Sequence, residues 1–132
     1  NTKKSGSPYF WIFKESEKTD EEGIAIGYVK LEIVSNIIRA SELHIAITEA
    51  YTKRGYGKQV IRLVTDYAFD CLNLHSVRAL IREKNYASQK AFESQGYRRV
   101  GVLPEWSFYD GDYHDCYIYD CIPRFRKSKN EQ

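Results

Sequence analysis

The spacing of apolar positions changes period several times along this chain, and each change marks an element. Tyr9-Phe10-Trp11-Ile12-Phe13 is an unbroken apolar run, which predicts a strand buried on both faces. Ile24–Val34 predicts a longer strand with Gly27 inside it, at a bulge or a close contact. After a turn over Asn36–Ser41, Glu42-Leu43-His44-Ile45-Ala46-Ile47 alternates polar with apolar and predicts a third strand. Glu15–Gly23 is acidic and turn-rich, so the three strands are expected to form an antiparallel meander with an exposed first connection. The period then lengthens. Val60, Val64, Tyr67/Ala68 and Cys71 recur at helical steps, giving one apolar stripe on a helix that ends near Leu72.

Ser76–Arg82 is again strand-like, and strand, helix, strand in that order predicts a right-handed crossover with parallel pairing. A short second helix puts Ala91, Phe92 and Gln95 on one side, with Gly96 as its C′ glycine. Tyr97–Leu103 and Tyr113–Ile122 predict two more strands joined through Asp110-Gly111, with a bulge or loop over Pro104–Phe108. The expected organisation is a leader over 1–8, one domain over 9–123 and a charged tail over 124–132, Pro123 closing the last strand. The fold class is mixed α/β, with a central twisted mixed sheet of about six strands.

Composition narrows the function classes. Hydrophobic residues make up 42% and charged residues 29%, as in a globular domain. A net charge of +2 argues against a dedicated nucleic-acid binder. No apolar run approaches the length of a membrane span, and Asn1–Pro8 is too polar for a signal peptide. Cys71, Cys116 and Cys121 lack metal-ligand spacing, and Cys116 and Cys121 should face opposite sides of a sheet. Their sparse, odd count fits a reducing cytoplasm, so no metal and a cytoplasmic location are expected.

The candidate chemistry gathers around residues 42–58. Gly55 and Gly57 stand among Lys53, Arg54 and Lys58, between a predicted strand and a predicted helix. Such a turn leaves amide donors at the helix start pointing outward, where the helix dipole suits a phosphate or pyrophosphate. An ordinary solvated basic loop has the same composition. Glu42 and His44 lie on the same side of the preceding strand, as a general base for proton removal or as one solvated strand face.

Four stretches, from Ile24 to Ile122, resemble the GNAT superfamily of acetyl-CoA-dependent N-acetyltransferases. Ile26-Gly27-Tyr28-Val29 is similar to that family's IG-[YF]-[VI] strand, and Ile47–Gly57 to its strand followed by [RQ]-x-x-G-x-[GA]. Asn85-x-x-Ser88-x-x-x-Phe92-Glu93-x-x-Gly96-Tyr97 resembles N-x-x-S-x-x-x-Y-E-x-x-G-F. Gly111–Asp115 resembles the terminal hairpin of the branch containing ribosomal-protein N-terminal and spermidine acetyltransferases.

The resemblance implies direct transfer from acetyl-CoA, through a ternary complex, to a primary amine: a protein N-terminus, a polyamine or an amino-bearing small molecule. No nucleic-acid or membrane partner is implied, and the oligomeric state stays open, a homodimer among the candidates. It assigns the diphosphate to backbone amides of Arg54, Gly55, Tyr56, Gly57 and Lys58, with Thr52, Lys53 and Lys90 beside them. It assigns pantetheine to the backbone of Ile45, Ala46 and Ile47 and to the amide of Asn85. Thr52 replaces the family's Arg or Gln, and Phe92 replaces the Tyr that protonates the departing thiolate. Ser88 then becomes the implied acid, with a helix N-cap as its plain structural alternative. Glu42 and His44 are the implied bases. Ser107 falls where the ribosomal-protein branch has its base, which makes Glu105, two residues earlier, a further candidate. Trp106 and Tyr109 could rim the acceptor cleft, and His114 and Asp115 could touch the acceptor or simply shape the hairpin. The family usually begins with a strand and two helices, and the sequence starts after that point, so either it is a fragment or acceptor recognition is organised differently. That start and Phe92 also suit a non-catalytic acyl-CoA-binding module.

Overall fold

A computed structural model describes residues 8–15, 24–48 and 55–130. Its elements are β1 (Pro8–Glu15), β2 (Ile24–Ser35), β3 (Ala40–Ile47), α1 (Tyr56–Asp70), β4 (Ser76–Arg82), α2 (Tyr86–Glu93), β5 (Arg98–Tyr109), β6 (Asp112–Cys121) and α3 (Pro123–Asn130). The strands form one sheet in the order β1-β2-β3-β4-β6-β5. Only β3 and β4 pair in parallel, as the intervening helical crossover requires. The β5–β6 hairpin turns at Asp110 and Gly111, with φ of 53° and 76°. Two successive positive φ values are what a two-residue primed turn demands.

Helices α1 and α2 cover the same face of the sheet. Val29, Leu31, Leu43, Val77, Ala79 and Ile81 from the strands meet Ile61, Val64 and Ala68 of α1 and Phe92 of α2 in one buried cluster. Within it the Thr65 and Tyr97 hydroxyls, 2.7 Å apart, satisfy each other. Burial drives the Tyr97 phenol far above its ordinary pKa. The predicted stripe on α1 is shifted by one residue: Ile61, Val64, Thr65 and Ala68 are buried, while Cys71 is exposed.

Strand β1 is not buried on both faces. Tyr9 and Trp11 pack against Tyr67 of α1, but Phe10 and Ile12 on the other side are 54% and 58% exposed. A continuous apolar run cannot by itself report that only one face is covered. Gly27 does lie at a close contact, since a Cβ there would strike the Ala46 carbonyl oxygen, and β1 shifts register opposite it. The turn before β3 is shorter than expected, because Ala40 and Ser41 are already in the strand. Strand β5 runs through Pro104–Phe108 with a register shift between Leu103 and Ser107, the bulge alternative. The acidic 16–23 segment lies outside the described residues.

The charged tail is in fact a helix over Pro123–Asn130. Proline suits the first turn of a helix, where its missing N–H has no intrahelical acceptor anyway. Tertiary contacts then hold a polar segment that would not be helical alone. Arg98 lies over the Phe125 ring at 3.8 Å, and Arg126 pairs with Asp66 of α1 at 2.5 Å. Gly96, at φ 95°, lets α3 approach, since a Cβ there would sit 2.8 Å from Arg126 Cγ.

Candidate active site

Strands β3 and β4 pair only at Ala40↔Ser76, Ser41↔Val77 and Glu42↔Arg78. The Ser41 hydroxyl donates to the Ser76 carbonyl at 2.9 Å and pins this closed end. Beyond it β3 continues to Ile47 and β4 to Arg82, each still paired on its outer side, with β2 and β6. The inner backbone edges over 43–47 and 79–82 are therefore open to a partner within the sheet. Such edges offer rows of N–H and C=O groups, which an extended chain can bond as an added strand would.

A cleft of about 290 Å³ occupies the split. His44 and Ile45 line it from β3, Arg82 from β4, and Asn85, Ser88 and Phe92 from α2. The β4–α2 turn is held by Gln89, whose side-chain amide donates to the carbonyls of Arg82 and Glu83. Asn85 is the N-cap of α2: its Oδ1 accepts from the Ser88 amide at 3.2 Å. Ser88 is thus not the cap, and its side-chain hydroxyl makes no hydrogen bond among the described residues. With Oδ1 engaged, the Asn85 NH₂ group is the part left to donate. Phe92 is 2% exposed and meets the Tyr97 ring edge-on at 4.9 Å. The aromatic ring therefore serves the core.

Glu42 and His44 come together as expected. His44 Nε2 lies 3.0 Å from Glu42 Oε1, an ion-pair distance once the imidazole is protonated. The contact is off the line a hydrogen bond needs, so the buried Nε2 has no aligned hydrogen-bond partner.

Helix α1 begins next to the open end of β3. Gly55 precedes it in the left-handed region, at φ 81°, and Gln59 is bonded back to the Gly55 carbonyl. The amides of Gly57 and Lys58 come before that first helical bond, and no acidic residue stands in the first turn. Gly57 brings the helix start against the strand: a Cβ there would be 3.1 Å from Ile47 Cδ1. Thr52, Lys53 and Arg54 lie outside the described residues.

Other expected residues stand apart from the cleft. Ala46 and Ile47 are on β3 but not in its lining, and Lys58 and Lys90 are exposed. Glu105 sits on the β5 bulge at φ 50°, its amide donating to Asp115 Oδ1, and it does not line the cleft. His114 shapes the hairpin, with Nε2 3.1 Å from the Tyr109 carbonyl. Tyr28, from the Ile26–Val29 motif, lines the cleft too, and Arg82 lines it without having been expected there, because only the split between the strands brings it to the site. Among the described residues no cluster of His, Cys, Asp and Glu could hold a metal ion, and no helix is long and apolar enough to cross a membrane.

A mixed sheet with one parallel pair, split beside a glycine-led helix start, defines a GNAT-like α/β domain. The acetyltransferase (GNAT) domain family model matches residues 1–98, and the chain belongs to that family. It is 30% identical over 96 residues to the spermidine N(1)-acetyltransferase of Vibrio cholerae, covering 73% of this chain and 56% of that protein. It is 27% identical over 101 residues to the spermidine N(1)-acetyltransferase of Escherichia coli, covering 76% and 54%. A solved chimera of the Vibrio cholerae spermidine N-acetyltransferase SpeG with hSSAT superposes with a TM-score of 0.79 at 25% identity, over 94% of this chain and 70% of that one. The Vibrio cholerae spermidine N-acetyltransferase in complex with CoA and spermine shares the fold, with a TM-score of 0.79 at 24% identity over 91% and 68%. The chain spans about half the length of the curated relatives it matches.

Proposed function

We propose that this chain binds acetyl-CoA along the split between β3 and β4 and transfers its acetyl group directly to a primary amine. The observation that carries the reading is the split itself, with open strand edges leading to the start of α1. The relatives named spermidine N(1)-acetyltransferases support a primary amine as the acceptor. We place the reaction in the cytoplasm, where thiols such as those of Cys71 and Cys116 stay reduced.

Acetyl-CoA supplies an activated acyl carbon and a thiolate leaving group. The amides of Gly57 and Lys58 would hold its diphosphate at the helix start. The inner edge of β3 near Ile45 would bond the pantetheine amides and donate to the thioester carbonyl where charge develops. Asn85 would donate its NH₂ group to the same arm.

An acceptor amine with a pKa of about 10.4 costs roughly 4–5 kcal/mol to deprotonate at pH 7, against about 1–1.5 for an α-amine near 8. A base matters most for the former, and Glu42 with His44 takes that proton. Ser88, with its hydroxyl uncommitted and Phe92 unable to donate, returns one to the leaving sulfur.

Calorimetry with acetyl-CoA tests the cofactor step, and thiol release over a panel of amines tests transfer. Binding heat is expected together with a drop in kcat of about 10²-fold or more in Ser88→Ala. A folded sample giving neither heat nor thermal protection with acetyl-CoA would sink the reading.

A further inference from the structure

Arg82 closes β4 at the open end of the split and lines the cleft. Its register neighbours show which side it takes. Arg78, Leu80 and Arg82 alternate with the buried Val77, Ala79 and Ile81, so Arg82 shares with Glu42 and His44 the face opposite α1 and α2. Among the other described arginines, some are paired with carboxylates, and others rest on aromatic rings as Arg82 does. Arg78 is held by both carboxylate oxygens of Asp120, at 2.8 and 3.1 Å, and Arg126 by Asp66. Arg98 and Arg99 lie over the rings of Phe125 and Tyr117, at 3.8 and 4.2 Å.

No carboxylate pairs with the Arg82 guanidinium among the described residues, and the residue is exposed. It rests instead on the Tyr109 ring, 4.6 Å from the centroid. Tyr109 is in turn stacked on His114 at 3.9 Å, and His114 is 7% exposed with its Nε2 on the Tyr109 carbonyl. A buried imidazole thus backs a tyrosine ring, and the ring backs a cation. Such a pile fixes the guanidinium without neutralising it, which suits a planar fork meant to meet an oxyanion.

We propose that Arg82, positioned by Tyr109 and His114, binds an anionic group on the amine acceptor and so favours acceptors carrying a carboxylate over polycations. This rests on the proposed reading of the cleft as the amine-acetylating site. Glu42 is level with Arg78 at the last paired rung, and counting outward along each strand puts Arg82 two residues, about 7 Å, beyond the position on β4 that corresponds to His44 on β3. The acid group of the acceptor therefore lies several bonds from its amine. The cofactor's phosphates carry oxyanions too, but the amides that receive them belong to α1, on the opposite face.

Three acceptors of equal length separate the possibilities: δ-aminovalerate, its amide and cadaverine end in a negative, a neutral and a positive group. Each is titrated calorimetrically into the CoA-loaded full chain, for wild type, Arg82→Gln and Tyr109→Leu. The acid is expected to bind about tenfold tighter than the amide, as a charge-assisted pair at a part-exposed site allows, and cadaverine weakest. Arg82→Gln should bring acid and amide within about twofold, and Tyr109→Leu, which keeps the charge but removes its shelf, to an intermediate ratio. Equal affinities in the wild type, cadaverine binding tightest, or no binding by any of the three overturns the proposal. So does a ratio unchanged in Arg82→Gln. A loss of CoA affinity in that variant would move the guanidinium to the cofactor and overturn it too. Failure of CoA itself to bind sinks the reading of the cleft and this assignment with it, whereas intact CoA binding without end-group preference sinks only the assignment.

Discussion

On β2, β3 and β4 the side chains facing α1 and α2 are Val29, Leu31, Leu43, Val77, Ala79 and Ile81, all buried. The side chains alternating with them on the opposite face include Lys30, Glu32, Glu42, His44, Arg78 and Arg82, none of which is buried. Leu43 and His44 are adjacent in the chain yet belong to different problems. One face supplies the burial that holds the sheet, while the other, relieved of that duty, can hold titratable groups at the edge of a cleft. The period of two along a strand is what keeps the assignments separate. Substitutions on the two faces should therefore act on different observables.

The largest expected effect tests the open face. Glu42→Gln keeps the shape of the side chain but removes its ability to accept a proton. Loss of a positioned base costs about 10²–10⁴-fold in kcat for an amine of high pKa, with little change in the unfolding midpoint. Acetyl transfer retained at the wild-type rate across pH would take Glu42 out of the mechanism.

The covered face should respond the other way. Leu31 is fully buried, and Leu31→Ala is expected to cost about 3 kcal/mol through lost burial and a cavity. Urea unfolding measures this, and the acetyl-CoA dissociation constant of the remaining folded protein should stay near wild type. A variant that lost cofactor affinity without losing stability would show that the faces are not independent. A smaller effect is expected from Tyr97→Phe, which leaves the buried Thr65 hydroxyl without its partner 2.7 Å away. Stranding a buried hydroxyl costs about 1–2 kcal/mol, again seen in urea.

Much of this division was legible in the sequence, and the failures have physical causes. The alternation of Glu42–Ile47 placed Glu42 and His44 together, and Ser76–Arg82 was read with its observed bounds, because both strands have one buried face. The family resemblance carried the cleft residues Asn85 and Ser88, but composition could not tell which of them caps α2. Tyr9–Phe13 was misread because apolar content does not say whether a helix covers each side. The helix over Pro123–Asn130 depends on Arg98 and Asp66, far away in the chain, so no local pattern announces it. Arg82 was missed for the same kind of reason: local pattern does not reveal that β3 and β4 part after Glu42 and Arg78.

The smallest effect lies at high pH and belongs to the covered face. The Tyr119 ring is buried, and its hydroxyl reaches the rim to donate to Glu93 Oε2 at 2.8 Å. Burial first, and then the hydrogen bond to that carboxylate, push its pKa up to about 12. Below pH 10 the phenol is neutral whether the chain is folded or not, and its contribution is fully present. As pH rises past 10 the unfolded chain releases this proton while the native state keeps it, so stability falls until the folded group ionises near 12. The hydroxyl end is near solvent, so the slope should be below the limit of about 1.4 kcal/mol per pH unit. Urea midpoints measured from pH 8 to 12 should therefore fall less steeply for Tyr119→Phe than for the wild type, and parallel curves would remove Tyr119 from the alkaline transition.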